Sequence, residues 1–220
     1  MKEFDSDFFS GIYCNNKYVD LGLSVHWATY NVGANRPEEF GEYYPWGIRT
    51  SFRLLKMQSY DPRIVESLLS ERPSSTMKDI SGTEYDIASL YYDEGSAWRT
   101  PRLKEFKELV SNTTQEVYEL NGTDGLLFTS KINGNSIFLP KAGHWNRFAQ
   151  TEAEEGGNYW TSDQHVDEVL QQIYHTFFAR SFGWYENDEG SPVIAIPDWS
   201  NAMLAFPIRP VFDSQILRNR

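Results

Sequence analysis

Apolar spacing divides the chain into a strand-like front, a helical middle and a strand-rich second half. Tyr18–Leu23 and Val25–Val32, the latter centred on Trp27, read as short strands. Residues 33–47 are dense in turn formers and close on Pro45-Trp46-Gly47. Ile64, Val65, Leu68 and Leu69 are spaced along one helical face. Pro62 lies near its start and Pro73-Ser74-Ser75-Thr76 beyond its end, so residues 48–80 read as an excursion carrying one helix. Ser81-Gly82-Thr83-Glu84 has the form of a capping box and predicts a helix over Glu84–Tyr92 that buries Ile87, Ala88 and Tyr91. Thr100 suits an N-cap and Pro101 the first helical position. Leu103, Phe106, Leu109 and Val110 then form the apolar stripe of a helix ending near Ser111.

After Val117 the period becomes strand-like. Leu126–Ile132 and Asn135–Leu139 flank Asn133-Gly134, a strong hairpin signal, and Pro140-Lys141-Ala142-Gly143 ends the second arm. Tyr159–Ser162, His175–Trp184, Val193–Ile196 and Ala202–Phe212 are further strand candidates. Pro207 and Pro210 make the last one an edge strand or irregular. Helices early and strands late imply an α+β domain with antiparallel sheet. No repeat with a period of 20–50 residues is visible, which argues against a solenoid or propeller.

Composition sharpens this picture. Of 220 residues, 15% are aromatic, with seven Trp and thirteen Tyr. Such side chains bury large areas and need partners for their polar ends, so a loop-rich domain organised around indoles fits. The formal net charge of −11 disfavours a nucleic-acid partner, which calls for a basic face. Cys14 is the one cysteine, which leaves no intrachain disulfide. No apolar run of about eighteen residues predicts a transmembrane segment. The first residues, MKEFDSDFFSGIYC, carry three acids and no apolar core, so they do not read as a signal peptide.

Several blocks together resemble one family. They are VDLGLSVHWATYNVGANRPEEFGEYYPWG near the start, DISGTEYDIASLYYDEGSAWRTP leading into KEFKELV, TSKINGNSIFLPKAG, GNYWTS at 157–162, and IRPV at 208–211. In this order they resemble the Fibrobacter succinogenes major paralogous domain family, common in Bacteroidetes surface proteins. The resemblance implies a C-type-lectin-like fold of the formylglycine-generating-enzyme type, in which small twisted antiparallel sheets and two main helices support long irregular loops. It implies one domain over 18–212, with 1–17 as an N-terminal extension and 213–220 as a C-terminal tail. It makes Trp27, Trp46, Trp98 and Trp160 scaffold. It also implies an extracellular or cell-surface location, beside which a cytoplasmic one stands open. The chain departs from the family at Glu94-Gly95-Ser96-Ala97-Trp98-Arg99-Thr100-Pro101, where an Ala is inserted and Thr replaces Met. Residues 163–175 and 186–201 match poorly.

The chemistry of related folds finds little support. A formylglycine-type oxidase requires paired copper-binding cysteines, and an iron site of the sulfoxide-synthase kind requires a spaced histidine triad. His26, His144, His165 and His175 show no such spacing. The calcium-dependent sugar motifs of C-type lectins are missing. Carboxylates in 152–156 and 186–190 could meet calcium, but acidic loop runs are ordinarily solvated surface. No zinc-type cluster, phosphate-binding glycine loop or nucleophile elbow occurs, and no cofactor is implied.

One constellation remains. Two late loops, 182–188 and 197–201, mix aromatics with Asn and Asp. Trp184, Tyr185, Asn187, Asp188, Asp198, Trp199 and Asn201 are therefore the candidate ligand-binding residues. Trp184 and Trp199 are open to either role, stacking surface or core plug. The leading expectation is a non-enzymatic surface or secreted module that presents these loops to a glycan or protein ligand. The alternatives are a structural subunit of a surface assembly and a degenerate formylglycine-generating-type enzyme.

Overall fold

The computed structural model describes residues 8–51, 72–92, 96–145, 150–151, 156–174, 177–197 and 199–218. The expected helix around 64–69 lies outside the described residues. Elsewhere the chain is α+β, with four small sheets whose named strands pair antiparallel and only short helices.

The first sheet has the order β1 (Gly11–Tyr13), β2 (Asn16–Val19), β3 (Val25–Ala28), β15 (Val211–Asp213). Its front edge comes from residues expected to be an extension. Cys14 and Asn15 both have positive φ, 46° and 58°, as a two-residue type I′ hairpin turn requires. This turn folds Tyr13 back onto Phe212, where the rings stack at 4.4 Å. Phe8 is also buried, so the domain begins before Tyr18. At the other end, helix α4 (Gln215–Arg218) follows β15 directly, and Ile216 and Leu217 pack against the Trp98 cluster.

The second sheet orders β5 (Thr113–Leu120), β6 (Thr123–Ser130) and β7 (Ser136–Pro140). Both its hairpins turn on Asn-Gly. Asn133-Gly134 matches the sequence expectation. Asn121-Gly122, with φ of 52° and 83°, carries the same signal and joins Leu120 to Thr123. The third sheet orders β4 (Tyr44–Pro45), β14 (Ala205–Phe206), β8 (His144–Trp145) and β9 (Gln150–Thr151). The fourth orders β10 (Gly156–His165), β11 (Phe178–Glu186) and β12 (Pro192–Ala195), with β13 (Ser200–Asn201) pairing the far end of β11.

The helices correct two expectations. Helix α1 (Ile87–Tyr91) starts later than the capping box suggests. Its cap is Asp86, whose carboxylate accepts from Ala88 N at 3.1 Å, while Ser81 donates its hydroxyl to Asp79 at 3.0 Å. Only Ala88 of the expected trio is fully buried. Tyr91 is 50% exposed, and Tyr92 turns inward against Trp98 instead. Helix α2 (Leu103–Asn112) buries Leu103, Phe106 and Leu109 as its stripe predicts. Thr100 is not its cap, because its hydroxyl and amide both point at the buried Asp86 carboxylate. The free amides of the first turn are met by carboxylates instead: Asp163 of β10 accepts from Leu103 N at 2.6 Å, and Glu105 from Arg102 N at 2.8 Å. Helix α3 (Glu168–Tyr174) falls in a segment where the sequence predicts no helix.

Helix α2 lies between the second and fourth sheets. There Phe106 stacks on Phe182 at 4.4 Å and meets Trp27 edge-on at 5.1 Å. A second core gathers Trp46, Trp160, Phe206 and Ile208. Trp27, Trp46, Trp98 and Trp160 are all at most 3% exposed. The Trp46, Trp98 and Trp160 indoles each donate to a buried backbone carbonyl, of Thr161, Tyr13 and Tyr44 respectively. Trp46 and Trp98 thereby hold loops to strands, and Trp160 holds β10 to β4.

Candidate functional site

The fourth sheet builds the site. Directly opposed residues of an antiparallel pair point to one face. Gly157↔Trp184 and Tyr159↔Phe182 therefore share one face, Gly156↔Tyr185, Asn158↔Gly183 and Trp160↔Ser181 the other. The pairs Trp184↔Ile194 and Gly183↔Ala195 extend both faces onto β12. The first face packs into the main core, where Trp184, Phe182 and Tyr159 are each at most 2% exposed.

The second face is covered unevenly. At the Ser181 end Trp160 roofs it from the second core. At the Tyr185 end Gly156 and Gly183 have no side chains and Ala195 has one methyl. The result is an open cleft of about 580 Å³ whose floor is mostly backbone. That volume lies within the roughly 300–1,000 Å³ usual for small-ligand sites. Tyr185, 48% exposed, rises from it. Asn158, Glu186, Asn187 and Asp188 complete the walls.

Lys141 enters from the end of the β6–β7 hairpin. Its residue is 8% exposed, and its ammonium lies 3.4 Å from Glu186 Oε2. The cleft therefore holds a donor-only cation beside an acceptor-only carboxylate.

The glycines are required by close approach. A Cβ on Gly156 would strike the Trp184 carbonyl, and one on Gly157 the Trp184 indole nitrogen. Gly183 is different: its Cβ would point into the cleft and meet Asn158 Oδ1 at 3.0 Å.

The two loops expected to form one site are separated. Trp184, Tyr185, Asn187 and Asp188 all line the cleft. Ser200 and Asn201 pair with Ala179 and Phe178 at the opposite end of β11. The six residue steps of strand from Ala179 to Tyr185 span about 20 Å. Trp199 is 43% exposed there and packs edge-on against Phe178 at 4.8 Å. Asn201 spends its side-chain oxygen on Met203 N. Asp198 lies outside the described residues.

Within the cleft, roles also divide. Trp184 lines the cleft from below, while its buried ring belongs to the core. Asn187 accepts from Glu189 N and Ser191 N with its side-chain oxygen, which folds the β11–β12 turn. Tyr185 and Asp188 are the two expected residues that stand exposed.

Lys141, Glu186, Asn158 and the glycine floor are additions that no motif announces. Lys141 reads only as part of a strand terminator, and its approach to Glu186 across 45 residues is tertiary. Among the described residues no group of three or more His, Cys, Asp or Glu side chains is arranged to hold a metal ion. Comparison of the chain with protein-family models, with curated proteins and with solved structures gives no match in any of the three.

Proposed function

We propose that the protein is a non-enzymatic binding module of the Fibrobacter succinogenes major paralogous type, built on a C-type-lectin-like scaffold. It acts at the cell surface or outside the cell and takes a glycan or protein ligand through the cleft beside Tyr185. The single observation that carries this reading is the cleft itself, where an exposed aromatic and paired polar groups stand over a floor kept open by Gly183 and Ala195. The four small sheets, short helices and buried Trp27, Trp46, Trp98 and Trp160 are in keeping with the proposed scaffold. The net charge of −11 accords with a partner other than nucleic acid.

The test is binding of the purified protein to arrays of glycans and of cell-surface proteins, with calcium and with chelator, beside Tyr185→Ala. Capture of a glycan or protein that the substitution abolishes in a folded protein is the expected result. Binding indifferent to Tyr185, or none on either array, overturns the reading.

A second reading, a packing subunit of a surface assembly, draws on Val166, Val169 and Ile173. They recur at helical spacing on and just before α3 and are 41%, 65% and 62% exposed. Self-association that Val169→Glu abolishes would favour it. A monomer at all accessible concentrations would count against self-assembly.

A further inference from the structure

We infer that the cleft beside Tyr185 is built for a neutral sugar ring, in preference to an anionic glycan or a basic peptide. The inference rests on the cleft being the binding site and adds the class of its ligand.

Charge placement carries the first half of the argument. Lys141 is nearly buried, and its ammonium is matched by Glu186 at 3.4 Å. An anionic ligand approaching Lys141 must also approach Glu186 and Asp188, both lining the cleft of a chain that is already strongly acidic. A cationic ligand would have to share Glu186 with Lys141, since the carboxylate is already paired. The surplus charge, Asp188, is exposed, where solvent and salt weaken it as an anchor. Among the described residues, neither sign of charge finds an uncompensated partner inside the cleft.

A polyhydroxylated ring does find partners. Each sugar hydroxyl both donates and accepts. Two neighbouring hydroxyls can therefore bridge Lys141, which only donates, and Glu186, which only accepts, without either giving up its charge partner. The exposed Tyr185 ring offers a flat apolar surface to the C–H face of such a ring. The opposite requirement, room for a flat body close to backbone, is met by Gly156, Gly183 and Ala195, which share one face of the sheet with Tyr185.

The experiment titrates neutral oligosaccharides, uronic- or sialic-acid-bearing oligosaccharides and Lys/Arg-rich peptides into the full chain, Tyr185→Ala and Gly183→Val. Gly183 has no positive φ requirement, and its added side chain fills the floor. Melting of each variant is followed alongside, and the exposed Tyr185→Ala serves as the test should Gly183→Val fail to fold. The expected result is saturable binding of a neutral oligosaccharide. It should weaken at least about tenfold in Tyr185→Ala, as an anchoring aromatic does, and vanish in Gly183→Val. Preference for the acidic sugars or the peptides, lost in the same variants, overturns the neutral-sugar inference and leaves the cleft as the site. Binding of any probe that ignores both substitutions, or no binding, overturns the inference together with the site.

Discussion

Arg209 donates from Nε to Asn31 Oδ1 at 2.8 Å in a place where both residues are wholly buried. The same guanidinium donates to the carbonyls of Thr29 at 2.6 Å, Ala28 at 3.2 Å and Phe138 at 2.9 Å. Burial pulls its pKa down to about 10, against smaller opposing effects of Tyr159 and Tyr92, so it remains charged at neutral pH. One side chain of the closing IRPV segment thus ties the first sheet to the second. Arg209→Met should orphan several buried acceptors at once. At about 1–3 kcal/mol for an orphaned group, the loss should be on the order of 3 kcal/mol or more. Urea unfolding would show it as a lower midpoint with an unchanged slope.

Trp184 and Tyr185 are neighbours in sequence with opposite duties. Trp184→Ala should cost about 3–5 kcal/mol, as for other large buried aromatics. Tyr185→Ala should stay within about 0.5 kcal/mol of the parent yet weaken ligand binding at least about tenfold. Thermal melting of the two variants separates the roles. Equal destabilisation by both would show that Tyr185 is structural.

Gly156→Ala should be far worse than its volume suggests. The new methyl would meet the Trp184 carbonyl, a backbone atom fixed by the β10–β11 ladder. Overpacking of this kind costs about 1–3 kcal/mol or more. Gly183→Ala faces only the end of the Asn158 side chain, so it should be milder. The difference in melting temperature between the two alanine variants is the readout.

Asp79 supplies a pH dependence. Burial pushes its carboxyl up, but Arg102 at 2.6 Å and the hydrogen bonds from the Ser81 amide and hydroxyl outweigh this and hold it below the ordinary 3.8. A depressed acid stabilises the fold above its unfolded value, and that share is lost as pH falls through the folded value. Stability should therefore drop below about pH 3.8. Asp79→Asn should flatten that acid limb while lowering stability at neutral pH. An unchanged limb in chemical denaturation series at pH 2–6 would count against the assignment.

Asp86 acts in the opposite sense. Burial raises its carboxyl despite donors from Thr100, Gly82 and Ser89. A raised acid contributes stability below its unfolded value that is lost as pH rises through the folded one. Asp86→Ala removes the α1 cap together with the bonds to Thr100. A loss of about 2–4 kcal/mol is expected at neutral pH, measurable by denaturant unfolding.

Local chemistry was readable where neighbours in sequence settle it. The α2 stripe, the Asn133-Gly134 hairpin and the β10 and β11 strands each follow from spacing and turn residues alone. Asn121-Gly122 was equally legible. The Cys14-Asn15 turn was not, because Cys is no turn former, and the hairpin it closes is anchored by the tertiary stacking of Tyr13 on Phe212. The caps went astray for a related reason. Ser81 and Thr100 are good capping residues, but Asp79 and Arg102 engage the Ser81 hydroxyl and the buried Asp86 carboxylate engages that of Thr100.

The α+β class, the indole scaffold and one half of the candidate site are legible in residue order, since burial of Trp and alternation along strands depend on residue type and local period. That Tyr185 and Trp199 stand at opposite ends of β11, that Trp184 faces inward, and that Lys141 meets Glu186 emerges with the folded chain. Those relations depend on strand register and on contacts between distant segments. A shift of one residue in register would have turned Tyr185 into the core and Trp184 into the cleft.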